Sequence, residues 1–150
     1  LSMAFTSNER GGGISAYSLN RKTGALKLKQ TLSALPEGYS GGAAAADIRI
    51  TPNGKFVYVS NRDLDDREPH QDSIAAFSIN RRGDLQRVGT YPAVWFPRSM
   101  TINQSGRFLY AAGQKSGTLI AYAIDAKTDA LQPLKTYDVG DGTIWAMCVE

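Results

Sequence analysis

Cysteine and histidine are nearly missing from this chain. Cys148 is the single cysteine among 150 residues. No internal disulfide can form, and a reducing compartment is compatible with that. Cys148 lies in the apolar stretch Trp145-Ala146-Met147-Cys148-Val149 and reads as a buried structural thiol rather than a nucleophile. His70 is the single histidine and reads as an exposed loop residue. With no Cys/His cluster there is no zinc site, and no Gly-rich phosphate loop joins a strand to a helix. Ser-His-Asp chemistry finds no support. No apolar run approaches the roughly 18 residues that cross a bilayer, and no signal-peptide pattern opens the chain. The net charge is only +3 and the basic residues are scattered, which argues against nucleic acid as a partner. No segment asks for a helix of more than a turn. The acidic run Asp63, Asp65, Asp66, Glu68 and Asp72 lacks the spacing of a calcium loop and reads as a solvated connector.

What is present is repetition. Asp47-Ile48-Arg49-Ile50-Thr51-Pro52-Asn53-Gly54-Lys55-Phe56-Val57-Tyr58-Val59-Ser60-Asn61-Arg62 aligns with the stretch from Ser99 to Gln114. Gly54 falls on Gly106, Phe56 on Phe108 and Tyr58 on Tyr110, all at one constant offset. A second pattern recurs as an outer strand: Ile14-Ser15-Ala16-Tyr17-Ser18-Leu19, Ile74-Ala75-Ala76-Phe77-Ser78-Ile79 and Leu119-Ile120-Ala121-Tyr122-Ala123-Ile124. Asn20, Asn80 and Asp125 then open tight turns, and Pro52-Asn53-Gly54-Lys55 and Gln104-Ser105-Gly106-Arg107 read as hairpin turns. A strand-and-turn recurrence of roughly 40–50 residues predicts an all-β fold, a β-propeller with one blade per repeat. About three blades fit in the chain. Propellers close rings of roughly 4–8 blades, because each sheet buries its faces only against neighbours. The remaining blades are therefore expected on a longer polypeptide or an associating partner. Leu35 to Gly42 and Asp63 to Asp72 interrupt the period and read as surface loops.

Function is sought where the repeat breaks. Glu9, Arg62 and Gln114 occupy one equivalent position, preceded by Asn8, Asn61 and Gly113. At the start of the innermost strand Ala46, Arg98 and Ile144 are equivalent, followed by Asp47, Ser99 and Trp145. A scaffold would place similar residues at equivalent sites, yet here an acid, a guanidinium and an amide share one. Arg suits bidentate contact with carboxylate or phosphate, and Glu suits proton transfer. A polar ligand pocket and an ion pair that plugs the channel mouth both fit these residues.

The run from Ala44 to Arg62, with Phe96-Pro97-Arg98, Ala111-Ala112-Gly113-Gln114-Lys115-Ser116 and Val139-Gly140-Asp141-Gly142-Thr143-Ile144-Trp145, resembles the lactonase-type seven-bladed propellers. Bacterial propeller-type 6-phosphogluconolactonases are the nearer branch of that resemblance, and fungal carboxymuconate cyclases the more distant one. The likeness runs through all 150 residues and matches the C-terminal portion of the family. It implies that residues 1–150 are about three blades of a seven-bladed ring, in a protein roughly twice this length or more. It further implies hydrolysis of 6-phospho-D-glucono-1,5-lactone to 6-phosphogluconate in the pentose phosphate pathway, in the cytoplasm, without metal or organic cofactor. The site it implies is a cleft at the channel mouth, with Glu9 and Arg62 as catalytic residues. Arg98, Asp47, Asn61, Gln114 and Lys115 are the substrate-binding candidates. The family histidine and a further arginine would lie upstream, and His70 does not match that position. A lactonizing cycloisomerase acting on a carboxylated muconate, and a non-catalytic binding platform, are the alternatives.

Overall fold

The computed structural model describes residues 2–65 and 68–149. Among them the chain forms eleven strands in three antiparallel sheets and no helix. The first sheet contains β1 (Met3–Asn8), β2 (Gly13–Leu19) and β3 (Leu26–Ser33). The second contains β4 (Ala43–Ile50), β5 (Phe56–Asp63), β6 (Ser73–Ile79) and β7 (Leu85–Pro92). The third contains β8 (Pro97–Ile102), β9 (Phe108–Gly113), β10 (Thr118–Ile124) and β11 (Leu131–Asp138). Each is a meander in which chain neighbours are sheet neighbours. This is the blade architecture that the repeat predicts.

Strand alternation explains how the blades stack. Successive side chains of a strand point to opposite faces. In β5, Val57 and Val59 join Ile14, Ala16, Ala75 and Phe77 in a core between the first and second sheets. Tyr58, from the opposite face, joins Ile74, Ala76, Met100, Leu109 and Tyr122 between the second and third. The middle blade therefore buries both faces. Each fully buried Val, Ile or Phe side chain contributes roughly 1.5–3 kcal/mol, so this stacking is the main stabilising term. Outermost strands are wetter: Leu26 and Leu28 of β3 and Leu134 of β11 are exposed.

The repeated aromatic has a geometric reason. Pairing with the outermost strand shifts register between Ala16 and Tyr17, between Ala76 and Phe77, and between Ala121 and Tyr122. A β-bulge thus recurs at the same step of each blade, and the aromatic follows it. These strands are not outer as the pattern suggests, because a further strand pairs beyond each: β6 and β10 are third of four in their sheets, and β2 is the middle of three. In the hairpins after β4 and β8, Gly54 and Gly106 both adopt φ 70°, where a Cβ is strained. Asn53 and Asn103 accept the following backbone N–H groups.

Those hairpins, with the turns after β6 and β10, lie at one end of the blades. The connections 34–42 and 93–96, with residues 64–65 and 68–72, lie at the other, beside Glu9, Arg62 and Gln114. Four sequence readings change here. Residues 139–149 form no strand: the N–H groups of Ala146 and Cys148 donate to the side chains of Ser99 and Thr101 instead of a backbone ladder. Cys148 is half-buried rather than buried, because that segment lies at the edge beside β8. His70 is not an exposed loop residue, since its ring stacks on Trp95 at 4.3 Å and 10°. The acidic connector is not simply solvated: Asp63 and Asp72 are buried and accept backbone N–H bonds. Asp66 lies outside the described residues, and among the described ones no acidic or histidine cluster is arranged to hold a metal.

Candidate active site

Arg62 and Gln114 sit at the exits of β5 and β9, each second in its sheet, and Glu9 sits at the exit of β1, the first strand of the three-stranded sheet. Backbone contacts interlock the first blade with the second at Glu9. The Ala45 N–H of β4 donates to the Glu9 carbonyl at 3.0 Å, and Arg10 bridges to Ala44. Within the third blade, the Gln114 N–H donates to the Phe96 carbonyl at 2.9 Å.

These contacts frame a cleft of about 740 Å³ lined by Ser7, Glu9, Ala45, Ala46, Asp47, Arg98, Gln114, Ile144 and Trp145. Across the boundary between the first two blades, Arg62 Nη2 lies 2.7 Å from Glu9 Oε1. The two partners differ sharply in exposure. The Arg62 side chain is 7% exposed and that of Glu9 is 68% exposed. Arg62 Nη2 also donates to the Ala45 carbonyl at 3.3 Å, and its Cζ sits 5.1 Å above the Phe96 ring. The Arg62 Nε–H is buried without a partner among the described residues. The hydrogen bond from Arg62, then its charge, and more weakly the charges of Arg98 and Arg10, hold the Glu9 carboxyl below the usual carboxylate range.

The other candidates divide. Arg98 is exposed and lines the cleft, as does Gln114. Asp47 lines it too, but its Oδ2 accepts the Met100 N–H at 2.7 Å and the Ser99 hydroxyl at 3.4 Å, and lies 3.0 Å from Arg49 Nη2. It clasps the second blade to the third. Asn61 points away from the cleft: it is 2% exposed and its Nδ2 donates to the Ala34 carbonyl at 2.8 Å. Lys115 is outside the cleft lining, with Nζ 4.8 Å from the Phe96 ring centre and 5.2 Å from that of Trp95. Ser7 and Trp145 line the cleft without having been singled out as site residues. Trp145 falls in register with Asp47 and Ser99, which was the available signal.

Chemically, the cleft offers an ionised carboxylate facing solvent, a buried cation behind it, and an exposed cation and amide on the next blade. Those groups can bind an anion and transfer a proton.

Comparison with known proteins agrees with the fold. A family model described as lactonase, 7-bladed beta-propeller, matches residues 1–149. The chain is 38% identical over 143 residues to the 6-phosphogluconolactonase of Pectobacterium carotovorum subsp. carotovorum (strain PC1). It is 37% identical over 143 residues to that of Serratia proteamaculans (strain 568). Each match covers 95% of this chain and 41% of the relative, so the chain spans about two fifths of the length of these proteins. Among solved structures, a Lactobacillus plantarum protein superposes with a TM-score of 0.85 at 25% identity, covering 96% of this chain and 40% of that one. The periplasmic gluconolactonase PpgL of Pseudomonas aeruginosa does so with a TM-score of 0.81 at 25% identity, covering 93% of this chain and 37% of that one.

Proposed function

The chain belongs to the lactonase family of seven-bladed β-propellers, and from that premise we propose that the protein hydrolyses 6-phospho-D-glucono-1,5-lactone to 6-phosphogluconate. The observation that carries this is the Glu9–Arg62 pair, which presents an ionised carboxylate to a cleft that Arg98 also lines. The names of the bacterial relatives supply the substrate.

In this reading Glu9 accepts a proton from a water molecule whose oxygen bonds to the lactone carbonyl carbon. The carbonyl electron pair moves onto oxygen, and Arg98 with the Gln114 amide stabilises that charge or the substrate phosphate. Collapse of the tetrahedral species breaks the bond to the ring oxygen, which takes the proton from Glu9 and leaves as a hydroxyl. The resulting carboxylic acid ionises. Arg62, set behind Glu9, keeps the carboxylate ionised and aimed. A depressed pKa makes Glu9 a weak base, and a labile lactone ester needs only modest assistance. The pentose phosphate pathway and a cytoplasmic location follow from the substrate, and blades beyond these three complete the ring. No helix of the described residues is long and apolar enough to cross a membrane.

The test is hydrolysis of freshly generated 6-phosphogluconolactone by the full-length protein, followed against the spontaneous rate. Acceleration is expected. A rate equal to the spontaneous one overturns the reading. Running unphosphorylated gluconolactone and a carboxylated muconate alongside separates the lactonase from the P. aeruginosa-like and cycloisomerase specificities.

A further inference from the structure

One carboxylate oxygen ties together the backbone behind both arginines. Asp72, the last residue of the 64–72 connection, is 4% exposed. Its Oδ1 accepts the N–H of Asp63 at 3.1 Å and the N–H of Phe96 at 3.0 Å. Its carbonyl accepts the Ala93 N–H at 3.0 Å. Asp63 follows Arg62 directly at the exit of β5, and Phe96 stands two residues before Arg98 at the entry to β8. The two arginines come from adjacent blades, and nothing in the β ladders connects them.

The Phe96 backbone shows why a clamp is needed there. Its φ is 62°, in the left-handed region. That region is strained for a bulky non-glycine residue, and the proline that follows drives its predecessor towards extended backbone instead. Such a conformation persists only where the surroundings over-determine it. Here the Phe96 N–H is held by Asp72 and its carbonyl by Gln114, while the Arg62 guanidinium and the Lys115 ammonium both lie over its ring. The strained residue therefore touches Arg62 and Lys115, and it leads through Pro97 to Arg98.

We propose that Asp72 is a positioning residue, fixing the spacing between the Glu9–Arg62 pair and Arg98 by holding the Asp63 and Phe96 amides on one oxygen. The assignment rests on the lactonase reading. A carboxylate suits the task because two N–H donors converge on one buried acceptor, and charge-assisted bonds are about twice as strong as neutral ones. Burial pushes the Asp72 carboxyl up from its ordinary range, and the charge of Asp63 adds to this in part. An acid placed here at such a disadvantage is held by its geometry, not by its own solvation.

The test is a double-mutant cycle in the full-length protein, read as kcat/KM for 6-phosphogluconolactone. Misplacing a reacting group by about 1 Å can slow a reaction by around a hundredfold, so Asp72→Ala is expected to lower kcat/KM at least tenfold. In an Arg98→Ala background the same change is expected to cost less than about threefold, because the group it positions is already gone. Asp72→Asn, which retains the accepting oxygen, is expected to recover most of the loss. Should Asp72→Ala not fold, Asp72→Ser goes through the same cycle, since its oxygen is polar but too short to reach both amides. Equal losses in the two backgrounds, or wild-type kcat/KM for the folded variant, overturn the assignment. A wild type without turnover overturns the lactonase reading and this assignment with it.

Discussion

Arg62 is the buried half, and Glu9 the exposed half, of an ion pair 2.7 Å long that crosses from the second blade to the first. The asymmetry has a chemical consequence. A guanidinium excluded from water keeps its partner ionised while leaving the outer carboxylate oxygen open to the cleft. Replacing Glu9 with Gln preserves shape and removes the base. In the proposed reaction this should lower kcat by about 10²–10⁴-fold, the range for general base catalysis, with a much smaller change in KM. Steady-state kinetics corrected for spontaneous hydrolysis check this. Wild-type turnover in Glu9→Gln removes Glu9 from the chemistry.

Arg62 should set where activity falls in acid. Its hydrogen bond and charge depress the Glu9 pKa. The ionised form therefore persists below the ordinary carboxylate value of 4.5 and is lost only as the pH drops through the lower, folded-state value. Arg62→Ala removes the cause. The Glu9 pKa should rise, and the acid limb of the kcat/KM profile should move to higher pH. The same linkage applies to folding: the stability that Glu9 contributes is present above its unfolded pKa and vanishes as pH falls through the folded one. A pH–rate profile of the variant with an unmoved acid limb shows that another group sets it.

Much of this was legible in the sequence, and each miss has a physical cause. The blade repeat, the hairpins at Gly54 and Gly106, and the convergence of Glu9, Arg62, Arg98 and Gln114 all follow from local periodicity and turn chemistry. Asn61 precedes Arg62 on β5 and leaves by the opposite face of the strand, whereas Lys115 lies in the turn after β9, where strand alternation no longer places a side chain. Asp72 and His70 looked like surface residues because composition alone marks the 64–72 connection as polar. Their burial depends on Phe96 and Trp95, which arrive from the next blade. The φ of Phe96 has no sequence signal, since left-handed backbone is expected of Gly, Asn or Asp.

Asp47 should prove more important to the structure than to the substrate. Its Oδ2 is occupied by the Met100 N–H, the Ser99 hydroxyl and Arg49, while Arg49 Nε donates to the Met100 carbonyl at 2.6 Å. Asp47→Ala leaves the Met100 N–H unpaired in a buried position. A loss of about 1–3 kcal/mol is expected from the stranded donor, with KM changed less than twofold. Chemical denaturation beside substrate titration distinguishes the two effects. A large rise in KM with unchanged stability would make Asp47 a substrate ligand.

A second clasp lies deeper, where it cannot touch the cleft. The Tyr58 hydroxyl, on a fully buried side chain of β5, donates to the Asp129 carbonyl in the turn before β11 at 2.8 Å. Burial first, and then the charge of Asp129, pushes the Tyr58 phenol well above its ordinary range, which favours the protonated, donating form. Asp129 itself adopts φ 53°, and its own N–H closes the turn on the Asp125 carbonyl at 2.8 Å. Tyr58→Phe keeps the ring in the core between the second and third blades and deletes only the hydroxyl. The Asp129 carbonyl then loses its side-chain donor, and stability should fall by about 1–2 kcal/mol. Lactone hydrolysis should stay within twofold of wild type, because no residue lining the cleft contacts this hydroxyl. Thermal unfolding and turnover measured on the same preparation decide it. Lost turnover at unchanged stability would mean that the packing between these blades is coupled to the cleft through more than the backbone of β8.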